Sequence, residues 1–593
     1  MNKLLFFLLL PIASGLTAQT TRERPNVILV MTDDQGYGDL SCHGNPVLQT
    51  PEIDRLYKES IRFTDYHVTP MCTPSRGQLM TGIDAARNGA VNVSSGRTSL
   101  HTELPTMANF FADNGYRTGI FGKWHLGDNY PYWPQLRGFQ ESIWFPSSHI
   151  SSVPDFWGNK YFDDTYIHNG KQEKFNGYCT DVFTTSAINW IAAAAKTQQP
   201  FFAYLPLNAP HAPWFAPEEN VKEMEAAIAK SPFAGLEPKL KDNLTHYLAM
   251  IRRIDYNIGR LIDFLNKTGL ADNTILIFTT DNGGTFTDYY NAGMRGKKTE
   301  LWEGGHRVPF FIRWPHGSLG APRDIAGLTQ VQDVLPTLIG LCGLVTPEPP
   351  HFNGISLAPV LHGAAKVPDR TLVINYSRMP SSFDYPSPAS PSIMRKDGSV
   401  VLWRRWRLVE DRMLFDLDTD PLEKNNVIDH HPDIAARLHD KLDTWWSEVA
   451  GTANEPRPVI IGSDSANPMV LNSCEWMDVL LDQQQQVLGG LHRNSYWNIR
   501  VARAGKYEFE LRRWPREADL ALAASPPNGK ALPIAGARFA INGEVRKQKL
   551  EPGSKAAVFT ARLDAGPLTL HSWFDDKDGQ SICGAYYIYV RRK

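Results

Sequence analysis

The 593 residues of this chain are too many for one hydrophobic core and call for at least two domains. Its 61 Lys and Arg against 63 Asp and Glu give a formal charge of -2, which excludes a bulk electrostatic attraction to nucleic acid and makes any anion binding local. Six cysteines spread without close pairs exclude a disulfide scaffold and a zinc-ligand pattern.

Met1 to Thr20 reads as an export leader: Lys3, the apolar run Leu4 to Leu10, then small residues up to Ala18, giving a signal peptide over 1–18. No later apolar run is long enough to span a bilayer. The expectation is an exported protein, periplasmic or secreted, with no membrane span.

Val27 to Met31 is a continuous apolar run, as expected of a strand buried on both faces of a parallel sheet. It runs directly into Asp33 and Asp34, and ligand sites of open α/β sheets lie outside such carboxyl ends. Thr50-Pro51 reads as a capped helix start. In Cys72-Thr73-Pro74-Ser75-Arg76, Pro74 suits the first position of a short helix over Ser75 to Met80, with Gly82 as its stop. Cys72 is then expected just ahead of a helix N-terminus, where the macrodipole favours negative charge, with Arg76 about one turn away.

The same grammar recurs three times. A helical face with Leu104, Met107, Phe110 and Phe111 stops at Asn114-Gly115, and the strand Arg117 to Phe121 exits into Lys123 and His125. A helix over roughly Asp181 to Lys196 leads to the strand Phe201 to Leu205, which exits toward His211. A long amphipathic helix containing Tyr247, Ile251, Ile254, Ile258 and Leu265 ends at Gly269, and the strand Thr274 to Phe278 exits into Asp281 and Asn282. Singly, Lys123 would be a surface charge and His125 or His211 a structural imidazole; four strand exits delivering such residues to one sheet edge favour a site. Asp33, Asp34, Asp281 and Asn282 form an oxygen-only set suited to a hard divalent cation.

These segments together resemble the formylglycine-dependent sulfatases of the alkaline phosphatase superfamily. The resemblance rests on Cys72-x-Pro74-Ser75-Arg76 ending in Thr81-Gly82, on Asp33-Asp34, on Thr50-Pro51-x-x-Asp54-Arg55-Leu56, and on Lys298 five residues before Glu303-Gly304-Gly305. It covers roughly residues 25 to 450. It implies that a maturation enzyme converts Cys72 to formylglycine and that the metal is calcium, held by Asp33, Asp34, Asp281, Asn282 and the converted Cys72; the residue types leave magnesium open. Conversion suits such a cation, since a thiol would offer it a soft sulfur and the aldehyde hydrate offers oxygen. It further implies that Arg76 holds the hydrate, that Lys123 and Lys298 stabilise the sulfuryl oxygens, that His211 or Lys298 protonates the leaving alcohol, and that His125 takes the proton whose loss frees sulfate.

The expected fold is α/β: a large alkaline-phosphatase-like mixed sheet flanked by helices over 24–367, and a smaller α+β subdomain with an antiparallel sheet over 368–450. In the latter, Asp397-Gly398 can turn a hairpin and a helix with Leu438, Leu442 and Trp445 closes the unit. Beyond a linker, the alternating sets Trp497, Ile499, Val501 and Tyr507, Phe509, Leu511, with the hairpin signal Asn542-Gly543, predict an antiparallel β-domain of sandwich type over 459–593. The expected substrate is a sulfated glycan or another sulfate ester. Trp124, Trp144 and Trp214 near the motif loops are candidates for stacking on sugars, with core packing the default for each. Two other readings are a phosphoester hydrolase on the same scaffold, for which the sequence lacks a second set of metal-ligand histidines, and a non-catalytic glycan-binding protein acting through the C-terminal region.

Overall fold

The side chains of strand β1 (Asn26–Thr32) divide between two cores. Val27, Leu29 and Met31 join Leu79, Met80 and Ile120 on one face, while Ile28 and Val30 join Phe183, Ile254 and Leu261 on the other. A strand without a solvent face must be apolar throughout, so its sequence is a run rather than an alternation. In the computed structural model, which describes residues 24–348, 350–377 and 392–593, β1 lies inside a sheet of ten strands. The leader expected over residues 1–18 lies outside the described residues.

Strands β2 (Arg117–Lys123), β3 (Phe201–Pro206) and β4 (Thr274–Thr280) complete the centre of the sheet in the order β4, β1, β3, β2, all parallel. Register aligns their carboxyl ends, with Met31 opposite Pro206 and Thr32 opposite Thr280. Phe310–Arg313 adds to β4 antiparallel and Glu141–Phe145 adds to β2 parallel, so the sheet is mixed.

Helix α1 (Cys72–Thr81) begins two residues earlier than the position of Pro74 suggests. Met71 is its N-cap and Cys72 its first residue, rather than a residue ahead of the helix. Pro74 is accommodated at the third position because first-turn amides have no partner inside a helix. Helices α2 (Cys179–Ala195) and α3 (Pro238–Thr268) cover the opposite face of the sheet. Glu237 caps α3 by accepting from Leu240 N at 3.0 Å, and Gly269, at φ 70°, ends it. Thr50 does precede a helix, Pro51–Glu59, but its hydroxyl caps none of that helix's amides: it accepts from Ser41 N at 3.0 Å and donates to Asp54 at 3.2 Å.

The smaller subdomain is an antiparallel sheet of Thr371–Asn375, Ser399–Trp403, Trp406–Val409 and Met413–Asp416 under the helix Pro432–Val449, which buries Leu438, Leu442 and Trp445. Asp397-Gly398 does not turn a hairpin. It sits in the short 3-10 segment Lys396–Gly398, and the tight turn is Arg404-Arg405, flanked by paired Trp403 and Trp406.

After residues 451–458 the chain forms two packed sheets. The turn near Ala504-Gly505 carries it from Tyr496–Val501 in one sheet to Gly505–Arg512 in the other, which places Trp497 and Ile499 in one core with Phe509 and Leu511. Asn542 and Gly543, at φ 48° and 86°, make the two-residue hairpin between Ile541 and Glu544. The domain departs from a wholly antiparallel pattern at Val459–Ile461, which pairs parallel with Tyr496–Val501 because a long excursion, not a hairpin, separates them. All six cysteines are free thiols.

Candidate active site

The aligned ends of β1 and β4 bring their acids together. Asp34 N donates to Asp281 Oδ1 at 3.1 Å, and Asp281 N donates to Thr32 O at 3.1 Å. Cys72 Sγ and one carboxylate oxygen each from Asp33 and Asp281 lie within 4.8 Å of one another, all buried. Arg76, one turn along α1, donates through Nε and Nη2 to Asp281 Oδ2 at 3.0 and 2.7 Å.

From β2, Lys123 donates to Asp33 Oδ2 at 2.6 Å. Just before it Gly122 adopts φ 134°, and a Cβ there would lie 2.1 Å from Pro206 O, so only glycine lets this strand end close against β3. His125, at φ 58° and fully buried, donates through Nε2 to Val93 O at 2.9 Å; its Nδ1 is buried without a partner. His211, beyond β3, uses Nδ1 on Ala212 O at 2.5 Å and turns Nε2 to within 3.6 Å of Asp34 Oδ2. Lys298 holds Asp34 at 2.7 and 2.8 Å, whereas its neighbour Lys297 is exposed. Asn282 Nδ2 donates to Asp34 Oδ1 at 2.9 Å, leaving Asn282 Oδ1 buried and unpartnered. Asp33, Asp34, Cys72, Arg76, Lys123, His211, Asp281, Asn282 and Lys298 thus lie in this one cluster, and His125 is close enough to Lys123 and Arg76 to feel their charges.

The electrostatics are those of a dry, crowded pocket. Burial raises Asp33 well above the usual carboxylate range, reinforced by Asp281 and Asp34 and opposed by Lys123 and Arg76. Burial would raise Asp34 too, but Lys298, His211 and Lys123 outweigh it and hold the carboxyl well down. Burial would also strip Lys298 of its proton, but Asp34, Cys72 and Asp33 hold that proton in place. Burial pushes His211 down to about 3 and His125 well below its ordinary value, so both imidazoles are neutral. The Cys72 thiol is pushed up by burial, opposed by Lys123 and Lys298 and reinforced by Asp33 and Asp281. An unmodified Cys72 is therefore a protonated, weak nucleophile.

The residues fit a hard divalent cation. Asp33 Oδ1 and Asn282 Oδ1 are buried oxygens with no hydrogen bond, and the donor set is oxygen only. Asp33, Asp34 and Asp281 are matched by Lys123, Arg76 and Lys298; a cation satisfying the carboxylates would leave these basic groups available to an anion.

Of the tryptophans, Trp124 and Trp144 belong to the core and offer no sugar platform; Trp214 is half-buried and packs against Phe286 with ring centroids 4.7 Å apart. His149 was not among the residues singled out from the sequence, yet it stacks on His211 with centroids 5.3 Å apart. It follows the strand Glu141–Phe145, so the strand-exit argument extends to it. Asp482, from the C-terminal domain, lies close enough to Lys298 to feel its charge, and no local signal marks it.

Comparison with known proteins adds to this geometry. The family described as Sulfatase matches residues 25–344, and that described as N-sulphoglucosamine sulphohydrolase, C-terminal, matches residues 295–448. N-acetylgalactosamine-6-sulfatase of Canis lupus familiaris is 30% identical over 380 residues, covering 59% of this chain and 68% of its own length. Arylsulfatase A of Homo sapiens is 30% identical over 400 residues, covering 62% of this chain and 72% of its own. Among solved structures, Ps i-CgsB in complex with k-i-k-neocarrahexaose matches with a TM-score of 0.61 and 27% identity, over 71% of this chain and 92% of that one.

Proposed function

The chain belongs to the sulfatase family and is a sulfuric ester hydrolase, and from that premise we propose that it desulfates a sulfated glycan outside the cytoplasm, using formylglycine made from Cys72 and a bound calcium ion. The observation that carries the reading is the position of Cys72: buried at the head of α1, between the carboxylates of Asp33 and Asp281, in a cluster that also holds Arg76, Lys123 and Lys298. A thiol held protonated there is a poor nucleophile, and its conversion by a formylglycine-generating maturation enzyme would supply a hydrate oxygen in its place.

Asp33, Asp34, Asp281 and Asn282 would hold the calcium, which when bound supplies positive charge against a developing oxyanion. Arg76, fixed by Asp281, orients the hydrate at residue 72. Lys123 and Lys298 bind the sulfuryl oxygens as sulfur passes from the alcohol oxygen to the hydrate oxygen. The departing alcohol takes its proton from His211 or Lys298. His211 suits the role better, because Lys298 is engaged with the sulfuryl oxygens whereas His211 Nε2 has no close hydrogen bond; it would acquire the proton as the anionic substrate enters. His125, whose bare Nδ1 is buried in the site, then accepts the proton of the second hydroxyl as sulfate leaves and the aldehyde returns.

The glycan substrate is supported by the relative named N-acetylgalactosamine-6-sulfatase and by the neighbouring structure in complex with k-i-k-neocarrahexaose. Action outside the cytoplasm is supported by the leader-like sequence of residues 1–18, a lysine followed by an apolar run; no helix among the described residues is long and apolar enough to cross a membrane. The test is sulfate release from 4-nitrophenyl sulfate and from sulfated glycan fragments by protein co-produced with a formylglycine-generating enzyme. Wild-type protein should release sulfate, and folded Cys72→Ala should not.

A further inference from the structure

The loop that leaves the strand Glu141–Phe145 is shaped by the C-terminal domain. Val153 N donates to Asp482 O at 2.8 Å, Gln484 N donates to Ser151 O at 3.0 Å, and Ser152 forms a β-bridge with Gln483. The Gln484 side chain donates to Ser152 O and accepts from Gly158 N, both at 3.0 Å, and Tyr587 OH donates to Val153 O at 3.0 Å. This loop carries His149, which is only 3% exposed and stacks nearly parallel to His211 at an interplanar angle of 7°.

Hydrogen-bond direction fixes the state of His149. Its Nδ1 lies 2.7 Å from Ser148 Oγ, which in turn lies 3.4 Å from Asp482 Oδ2. With Asp482 in its charged form the carboxylate can only accept, so the Ser148 hydroxyl donates to Asp482 Oδ2 and its oxygen accepts from His149 Nδ1–H. His149 Nε2 is then left with a bare lone pair and has no partner among the described residues. Burial, with His211, Lys123 and Lys298 adding to it, keeps the His149 ring neutral. Burial raises the Asp482 carboxyl, while Ser148 and the nearby Lys298 favour its charged form.

We propose that Asp482 is a positioning residue contributed to the active site by the C-terminal domain. Acting through Ser148, it holds His149 as the Nδ1–H tautomer, so that Nε2 accepts a hydrogen bond from a hydroxyl or amide N–H of the sugar that bears the sulfate. The proposal rests on the sulfatase reading of the site and assigns the C-terminal domain a part in choosing the sugar rather than in the chemistry at sulfur.

The first test is a double-mutant cycle read on two substrates: 4-nitrophenyl sulfate, which has no sugar donor, and the best substrate from a panel of sulfated hexoses and N-acetylhexosamines. Asp482→Asn and His149→Gln should each lower kcat/KM for the sugar sulfate about tenfold, chiefly through KM, and affect the aryl sulfate less. The double variant should be no worse than the poorer single variant. Losses that multiply in the double variant, or that are equal on both substrates, would overturn the proposal. The second test does not depend on turnover. In wild-type protein labelled with 15N-histidine and assigned against His149→Gln, the His149 Nε2 signal should be that of an unprotonated nitrogen; a protonated Nε2 would overturn the proposal. Wild-type protein that carries formylglycine yet cleaves neither substrate would instead bring down the sulfatase reading itself.

Discussion

Arg76 and Asp281, both fully buried, are joined by a fork of two hydrogen bonds to a single oxygen, Nε at 3.0 Å and Nη2 at 2.7 Å from Asp281 Oδ2. Asp281 keeps its other oxygen for Asp34 N, so one carboxylate fixes both the guanidinium beside Cys72 and the end of β1. A lysine can supply the charge but not the planar fork. Arg76→Lys is expected to lower kcat/KM by about 100-fold while the far-ultraviolet circular dichroism stays native, because misplacing a positioning group by about 1 Å costs that much.

The unpartnered oxygens of Asp33 and Asn282 predict a cation effect that can be read without turnover. Calcium at about 100 times its Kd should stabilise the protein by about 2.7 kcal/mol, visible as a rise in Tm. Asp33→Ala should remove most of that rise. Magnesium should give a smaller one at equal concentration, since it dehydrates reluctantly and demands stricter geometry. Identical Tm values with and without calcium in the wild type would count against the site.

His211 and Lys298 can be separated by leaving group. An acid matters for a sugar alkoxide and little for nitrophenolate, so His211→Ala should lose about 100-fold or more on the sugar sulfate and far less on 4-nitrophenyl sulfate. Lys298→Ala should lose on both, because its charge faces the sulfuryl group whatever the alcohol. The opposite pattern would exchange the two roles.

Glu303 and Arg407 tie the large domain to the smaller subdomain through contacts of 2.8 and 3.2 Å, and both are buried. Burial would raise Glu303, but Arg407, with His67 and His306 adding to it, outweighs burial and holds the carboxyl well below its ordinary value. A depressed carboxyl contributes stability that is present above its unfolded pKa of about 4.3 and lost as pH falls. Arg407→Met leaves the acid buried and unpaired and should cost about 3–5 kcal/mol near neutral pH. The loss should shrink as acid protonates Glu303. Denaturant unfolding of both proteins from pH 7 down to pH 4 checks the magnitude and the sign.

The central strands and their polar exits were legible in the sequence because a strand covered on both faces must be a continuous apolar run, and the residue that ends the run is the one that reaches the ligand side. Lys298 was legible only by its spacing from Glu303, and the exposure of Lys297 agrees with that register. The start of α1 was misread because Pro74 marks a helix beginning without saying which first-turn position it holds. Trp124 and Trp144 lie beside motif residues in the chain but belong to the core, since neighbours in sequence at a strand end can point to opposite sides. Asp482 could not be seen at all: it meets Ser148 across 334 residues, and nothing in its local sequence records that approach.

The measurement that tests the account most directly is the mass of the peptide carrying Cys72, taken from protein co-produced with a formylglycine-generating enzyme and shown to release sulfate. The account predicts the mass of an aldehyde in place of the thiol side chain. An intact thiol at residue 72, in protein that hydrolyses sulfate esters and beside a control sulfatase converted in the same cells, would contradict it.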